Sequence, residues 1–463
     1  MKKLLLILLA FLFVASSNAT HLMGGQITAS QISGNQYEIK LTLFRDTTGI
    51  PMYTTATFDI ADIATSIQQS VTIPHSGAQP FFNGVEVYDY ILSYTFPAAG
   101  QYKISWSDCC RNDTILNMTN PGGEDLYLST IITIDSMTNN SSPVFLNQPV
   151  TLAQKNSLFS YNPLPFDADG DSMAWSMDVP LSFGGDTVLG YTIPHAASSN
   201  PFTLDNITGE ITWMPDSNGH WVASFLVEEF RGGLKIGEIR RDMQIIVVDD
   251  TTNFHQMVIN TGLWPQDANG NFSVTLAPNV LFTMDIQATQ NDNDPMSLIL
   301  QGEPFFSSGN QAQFSIVNNI PGSINGTLSW TPSTAQMRTA PYFVVVRGLE
   351  FHNNYVLTHD RTIMLRVGTA TGIAENTVIS ETQVYPNPAS QELYVSFNLK
   401  SASNISMEIF DLSGRLVHHS TENFKQAGSH LISQNIASLT AGFYTLKLLI
   451  DNKSAKALPF IVK

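Results

Sequence analysis

Apolar residues recur at every second position along most of this chain. In Tyr37-Glu38-Ile39-Lys40-Leu41-Thr42-Leu43 they alternate with polar ones, which is the period of a strand with one face buried. Leu393, Val395, Phe397 and Leu399 repeat that period near the C-terminal end. No segment sustains an i, i+3, i+4 apolar stripe over three turns, so the pattern excludes amphipathic helices as the main element. The short alternating runs are parted by Gly, Pro, Asn and Asp clusters, the punctuation of strands joined by tight turns. The expectation is an all-β protein, a linear array of β-sandwich domains of roughly 100 residues each.

One apolar run does not alternate. Lys2 and Lys3 precede Leu4–Val14, followed by Ser17-Asn18-Ala19, the layout of a signal peptide over 1–19 with a small-x-small cleavage site. The run is shorter than the ~18 apolar residues a membrane span needs, and no other stretch approaches that length. The formal net charge of −17 repels nucleic acid and anionic membrane and favours cations. The charge is uneven: residues 383–463 hold seven Lys/Arg against five Asp/Glu, whereas 20–382 hold thirteen against thirty-four. A small, polar stretch at 369–382 separates the two parts and reads as a linker. The expected organisation is 1–19 signal peptide, 20–145, 146–250 and 251–368 as three sandwiches, 369–382 linker and 383–463 a small terminal sandwich.

Two of these sandwiches look like copies of one plan. "FSYNPLPFDADGDSM" (159–173) aligns without gaps on "FTMDIQATQNDNDPM" (282–296), "GEITWMP" (209–215) echoes "GTLSWTP" (326–332), and each copy closes on an apolar strand. The aspartate-rich turn, the Gly before a strand, the Trp and the closing strand resemble the immunoglobulin- and cadherin-like modules of bacterial surface proteins. In "DADGD", Asp167, Asp169 and Asp171 place three carboxylates at alternate positions of a turn, a hard-oxygen set suited to calcium. The spacing is not that of an EF-hand loop. The same residues also serve as plain turn formers, whose side chains satisfy their own backbone. The cadherin-like resemblance implies calcium as cofactor, with Glu228 or Glu229 as extra ligands; the second copy keeps only Asp292 and Asp294.

Both cysteines, Cys109 and Cys110, are adjacent. "HLMGGQIT" (21–28), "LFRDTTG" (43–49) and "DCCRN" (108–112) resemble the N-terminal module of surface proteins related to gliding motility. In that module a cysteine commonly follows the early Arg-Asp, where this chain has Thr47. Without that partner the two form a vicinal disulfide or stay as two buried thiols. No H-E-x-x-H, G-x-S-x-G, P-loop or post-strand G-x-G-x-x-G is present, so no enzymatic template is legible. His75 and His195 read as solvated loop histidines, and the six tryptophans mostly as core.

The last segment is the most specific. "VYPNPAS" precedes a strand at 392–399, a hairpin "ISMEIFDLSGRLVHH" (405–419), and "LTAGFYTLKLLIDNKSAKALPFIVK" (439–463). These ordered phrases resemble the type A C-terminal sorting domain of the type IX secretion system of Bacteroidota. Its marker positions are Tyr385, Pro386, Asn387, Pro388, Asp411, Gly414 and Gly442; the prolines are expected to hold the chain extended, and the two glycines to occupy places a side chain would obstruct. The resemblance implies export through the periplasm, recognition by the outer-membrane translocon, and release or attachment to surface lipopolysaccharide. With a body of β-sandwiches that shows no catalytic motif, the expectation is a secreted, cell-surface protein of adhesive or structural type, with glycans or surface proteins as partners, no nucleic acid and no membrane span. The alternative is a secreted hydrolase or glycan-binding accessory protein, which convergent carboxylates in a deep pocket would favour.

Overall fold

The computed structural model describes residues 21–463 apart from 136–137, 196–199, 250–256, 263, 268–269, 292–293, 353–354, 369–378, 412–414, 421–422 and 451–452. The signal peptide, most of the linker, Gly414 and Asp292 therefore lie outside the described residues. The chain divides into two units, one ending at Val367 and one beginning at Gly368. Among the described residues there are strands and short 3-10 turns but no α-helix, as the period-two pattern predicts.

In the first unit, the strands Leu22–Ser33 to Leu126–Ile134 pair into a circuit that is closed by Leu234–Val248. That long strand joins Leu126–Ile134 through Gly237–Ile239 and meets Leu22–Ser33 at Gly24 and Gly25. The approach needs glycine: a Cβ on Gly24, whose φ is +137°, would lie 2.1 Å from the carbonyl oxygen of Asp242. The Gly-Gly of the N-terminal motif thus lets two backbones touch. The other edge of Leu234–Val248 pairs with Gly219–Arg231, so the first two modules share a strand, although each keeps its own apolar core. Arg111, from the Cys-Cys-Arg-Asn motif, makes a two-pronged ion pair with Asp242 at 2.8 and 2.9 Å, both side chains wholly buried.

The repeat is structural as well as verbal. Phe159 pairs with Trp213 in one copy and Phe282 with Trp330 in the other; each indole donates to a backbone carbonyl, of His195 and of Asn310. Met173 faces Glu229 across its sheet, and Met296 faces Glu350. The second copy has its own core. It is tied to the first by Asp360, which takes a two-pronged hydrogen bond from Arg347 and another from the backbone N–H of Asn162. His75 sits within the strand Gln68–Pro80 rather than in a loop, its ring edge-on to Tyr88 and Tyr90.

The second unit is a two-sheet sandwich over one core. Leu393, Val395, Phe397 and Leu399 are at most 2% exposed, so the alternation seen in sequence is the buried face. Ser403–Asp411 pairs with Leu416–His419, and Gly442–Ile450 with the closing strand Lys453–Val462.

Breaking a wholly buried ion pair leaves a bare charge, at a cost of about 3–5 kcal/mol. Replacing Asp242 by Ala should therefore destabilise the first unit by that amount in denaturant unfolding, with a smaller loss for Asp242→Asn.

Candidate metal centre

The turn 167–171 is built by Asp167. Its Oδ1 accepts from the backbone N–H groups of Asp169 and Asp171 at 3.0 and 2.8 Å, while Gly170 takes φ +81° with open space around it. This is the turn-forming role that such residues have in any protein. The other oxygen of Asp167, Oδ2, is buried and accepts nothing.

Strand register then supplies the third carboxylate. Because Met173 pairs with Glu229, Glu229 faces inward beside the turn, while its neighbour Glu228 faces outward and bonds Lys235. One ligand oxygen each from Asp167, Asp171 and Glu229 lie within 4.8 Å of one another. Glu229 is 0% exposed, and neither of its oxygens accepts a hydrogen bond, its carboxyl facing that of Asp171. Gly237 on the adjoining strand makes the room, since a Cβ there would lie 2.5 Å from Glu229 Oε2. The expected trio is therefore corrected at one position: the Asp169 carboxylate turns away and accepts from the backbone N–H of Ser141, and Glu229 takes its place. Alternate positions on a tight turn do not share a direction, so three aspartates do not converge.

Arg231 closes one side. Its guanidinium grips Asp171 with two hydrogen bonds and also reaches Asn139 O and Asn140 Oδ1. Three carboxylates against one guanidinium leave two negative charges, the complement of one divalent cation. Burial, followed by the nearby Asp167 and Asp171, pushes the Glu229 carboxyl up to about 9. Burial likewise pushes Asp167 up to about 6, against the pull of its backbone hydrogen bonds. The residues present fit calcium: hard oxygen donors, three of them without a hydrogen bond, in a site short of positive charge.

The aligned place in the second copy is different. Gln290 stands for Asp167, and His352 for Arg231. His352 reaches Asp294 at 2.7 Å and Glu350 at 3.2 Å, with His359 at 3.7 Å from Glu350. Imidazoles there surround the buried glutamate that in the first copy faces only carboxylates.

Phe166, Trp175 and Phe343 line a cavity of about 420 Å³ that reaches Asp167 and Asp171. Glu229 does not line it. Trp175 is half-buried, whereas the other five tryptophans are buried.

Cys109 and Cys110 are joined to each other, and no free cysteine stands among the described residues. In the terminal unit, residues 386–388 form bends with cis Tyr385–Pro386 and Asn387–Pro388 peptides rather than an extended run. Asn387 instead stitches the entry to the end: its Oδ1 accepts from Ile461 N–H, and Ala389 exchanges hydrogen bonds with Ile461 and Lys463. Tyr385 stacks on Tyr394. Asp411 binds Arg415 through both backbone and side chain, closing the hairpin. The expectation for Gly442 is not met, since a Cβ there would find its nearest neighbours at 3.8 and 3.9 Å, ordinary contact distances.

A carboxyl whose folded value lies above its unfolded value binds its proton more tightly in the fold. Stability must then fall as pH rises between the two values. For Glu229 that window runs from 4.5 to about 9. In EDTA the melting temperature should decline steadily from pH 5 to pH 9, and Glu229→Gln should flatten the decline and raise the melting temperature at pH 8.

Residues 383–463 match the family described as secretion system C-terminal sorting domain. No curated protein matches the chain. Among solved structures, a DUF4785 family protein from Legionella pneumophila subsp. pneumophila str. Philadelphia 1 is 9% identical, over 63% of this chain and 78% of that one, with a TM-score of 0.21. A mutant of Salmonella alpha-2-macroglobulin is 10% identical, over 96% of this chain and 36% of that one, with a TM-score of 0.23. A surface layer protein, SbsC domains 1–6, is 10% identical, over 94% of this chain and 66% of that one, at a TM-score of 0.16. At such scores nothing follows for this chain. Residues 383–463 are thus a type IX secretion C-terminal sorting domain, and the chain bearing it is exported by that system to the cell surface or beyond.

Proposed function

We propose that the exported body is an adhesive or structural surface protein that acts by binding and not by catalysis, and that calcium held by Asp167, Asp171 and Glu229 stiffens it. The carrying observation is the fully buried Glu229, whose oxygens accept no hydrogen bond and face two further carboxylates. A cation there would clamp the 167–171 turn to the strand Gly219–Arg231, and so to the strand the first two modules share. The cavity beside it favours the glycan-binding half of the alternative. Asp167, pushed up to about 6, and Asp171 both line the cavity; in the calcium reading they hold the cation rather than serve as acid and base.

Calcium at millimolar concentration, the range of extracellular modules, should raise the melting temperature of the secreted protein by several degrees and leave Glu229→Gln unmoved. Identical melting curves in calcium and EDTA contradict the metal reading. For the route, deletion of 383–463 should strand a folded body in the periplasm, because the tail has a core of its own. Normal surface yield of the truncated chain contradicts it.

A further inference from the structure

We infer that the cavity between the second and third modules binds a short acidic oligosaccharide, one that carries uronate groups. This rests on the calcium reading above. Asp171, the residue before the strand Ser172–Asp178, and Met173 and Trp175 within it fall at alternate positions, and alternate residues of a strand face one side. All three line the cavity. One wall therefore presents a carboxylate of the metal centre at one end and a half-buried indole at the other. Four residues of extended chain separate them by about 13 Å, a span for linked sugars rather than a single ring.

The chemistry along that wall suits a sugar chain. Trp175 and Phe343 stand edge to face, with centroids 6.2 Å apart, and Phe166 also lines the cavity. Aromatic faces take up the C–H side of a pyranose while its hydroxyls are left for polar groups. At the other end, Asp167 and Asp171 belong to both the cavity and the metal centre. With Glu229 they make three carboxylates, which cannot supply all of the 6–8 oxygens that calcium takes, since Asp171 is shared with Arg231 and Asp167 Oδ1 with two backbone N–H groups. Sugar hydroxyls and carboxylates are oxygen donors of the same hard class.

Arg366 sets the charge preference. It lines the cavity, and its guanidinium has no ion-pair or hydrogen-bond partner among the described residues. The other lining guanidinium, Arg338, is held by Glu303 through two hydrogen bonds at 2.8 and 2.6 Å. With the metal centre neutralised by its cation, the uncompensated charge in the cavity is positive. A uronate answers it, and a neutral sugar does not.

The test is calorimetry and indole fluorescence on the full secreted protein with trisaccharides of galacturonate, glucuronate and mannuronate, and with cellotriose as the neutral comparison. Calcium uptake without sugar is titrated separately. In calcium at least one uronate trisaccharide should bind saturably and quench fluorescence. Affinity should drop tenfold or more in EDTA, in Trp175→Ala and in Arg366→Ala, with cellotriose at least tenfold weaker; unchanged melting temperatures show that the variants fold. Calcium uptake without uronate binding overturns the sugar site and leaves the metal centre standing. Binding that neither variant weakens, or cellotriose binding equally well, also overturns it. Absence of calcium uptake overturns the metal reading and this inference with it.

Discussion

A carboxylate buried without a counter-charge cannot stay ionised in a stable fold, and Glu229 is wholly buried with no cation in contact. The arrangement around it follows from that constraint. The register that pairs Met173 with Glu229 brings the glutamate to the 167–171 turn. Gly237 gives it room on the neighbouring strand, and Arg231 satisfies Asp171 but not Glu229. The fold then has two ways to neutralise the group, a proton or a metal ion. In the reading proposed above, the proton serves when calcium is scarce and a divalent cation replaces it when calcium is abundant. Site and scaffold are coupled because Gly219–Arg231 pairs with the strand that also closes the N-terminal circuit.

The second copy shows another answer to the same constraint. Glu350 occupies the place of Glu229 in register, and it too is fully buried. There His352 and His359 stand beside it, and its Oε2 accepts from the backbone N–H of Met257. Imidazole nitrogens and a backbone N–H thus face this glutamate, and Gln290 removes one carboxylate from the set. The two copies thus differ at this place: in the first the buried glutamate accepts no hydrogen bond, in the second it has a backbone N–H and two imidazoles beside it. The first-copy cluster is the one that lies beside the half-buried Trp175 and the cavity.

Much of this was legible in the sequence. The alternation at 37–43 and 393–399 gave the strands and their buried faces because a strand's period survives any tertiary context. The copies aligned correctly because Phe159 with Trp213 and Phe282 with Trp330 hold equivalent pairings. What sequence could not supply was convergence. Asp169 looked equal to Asp167 and Asp171, but a turn aims consecutive side chains differently, and only cross-strand register selects Glu229 over Glu228. Gly237 and Arg231 carried no signal by spacing. The one trace of Arg231 was the aligned "EEFR" and "LEFH", where Arg231 and His352 hold the same place. In the tail, the Tyr-Pro-Asn-Pro phrase was visible, whereas the hydrogen bonds of Asn387 to the last strand depend on ends far apart in sequence.

The central claim is that a cation takes the place of a proton on Glu229. Calorimetric titration of calcium into the secreted protein at pH 7, in two buffers of different ionisation enthalpy, measures the protons released on binding. Release of about one proton per calcium, abolished by Glu229→Gln, is the predicted result. Calcium binding with no proton release, or binding unchanged in Glu229→Gln, would contradict it.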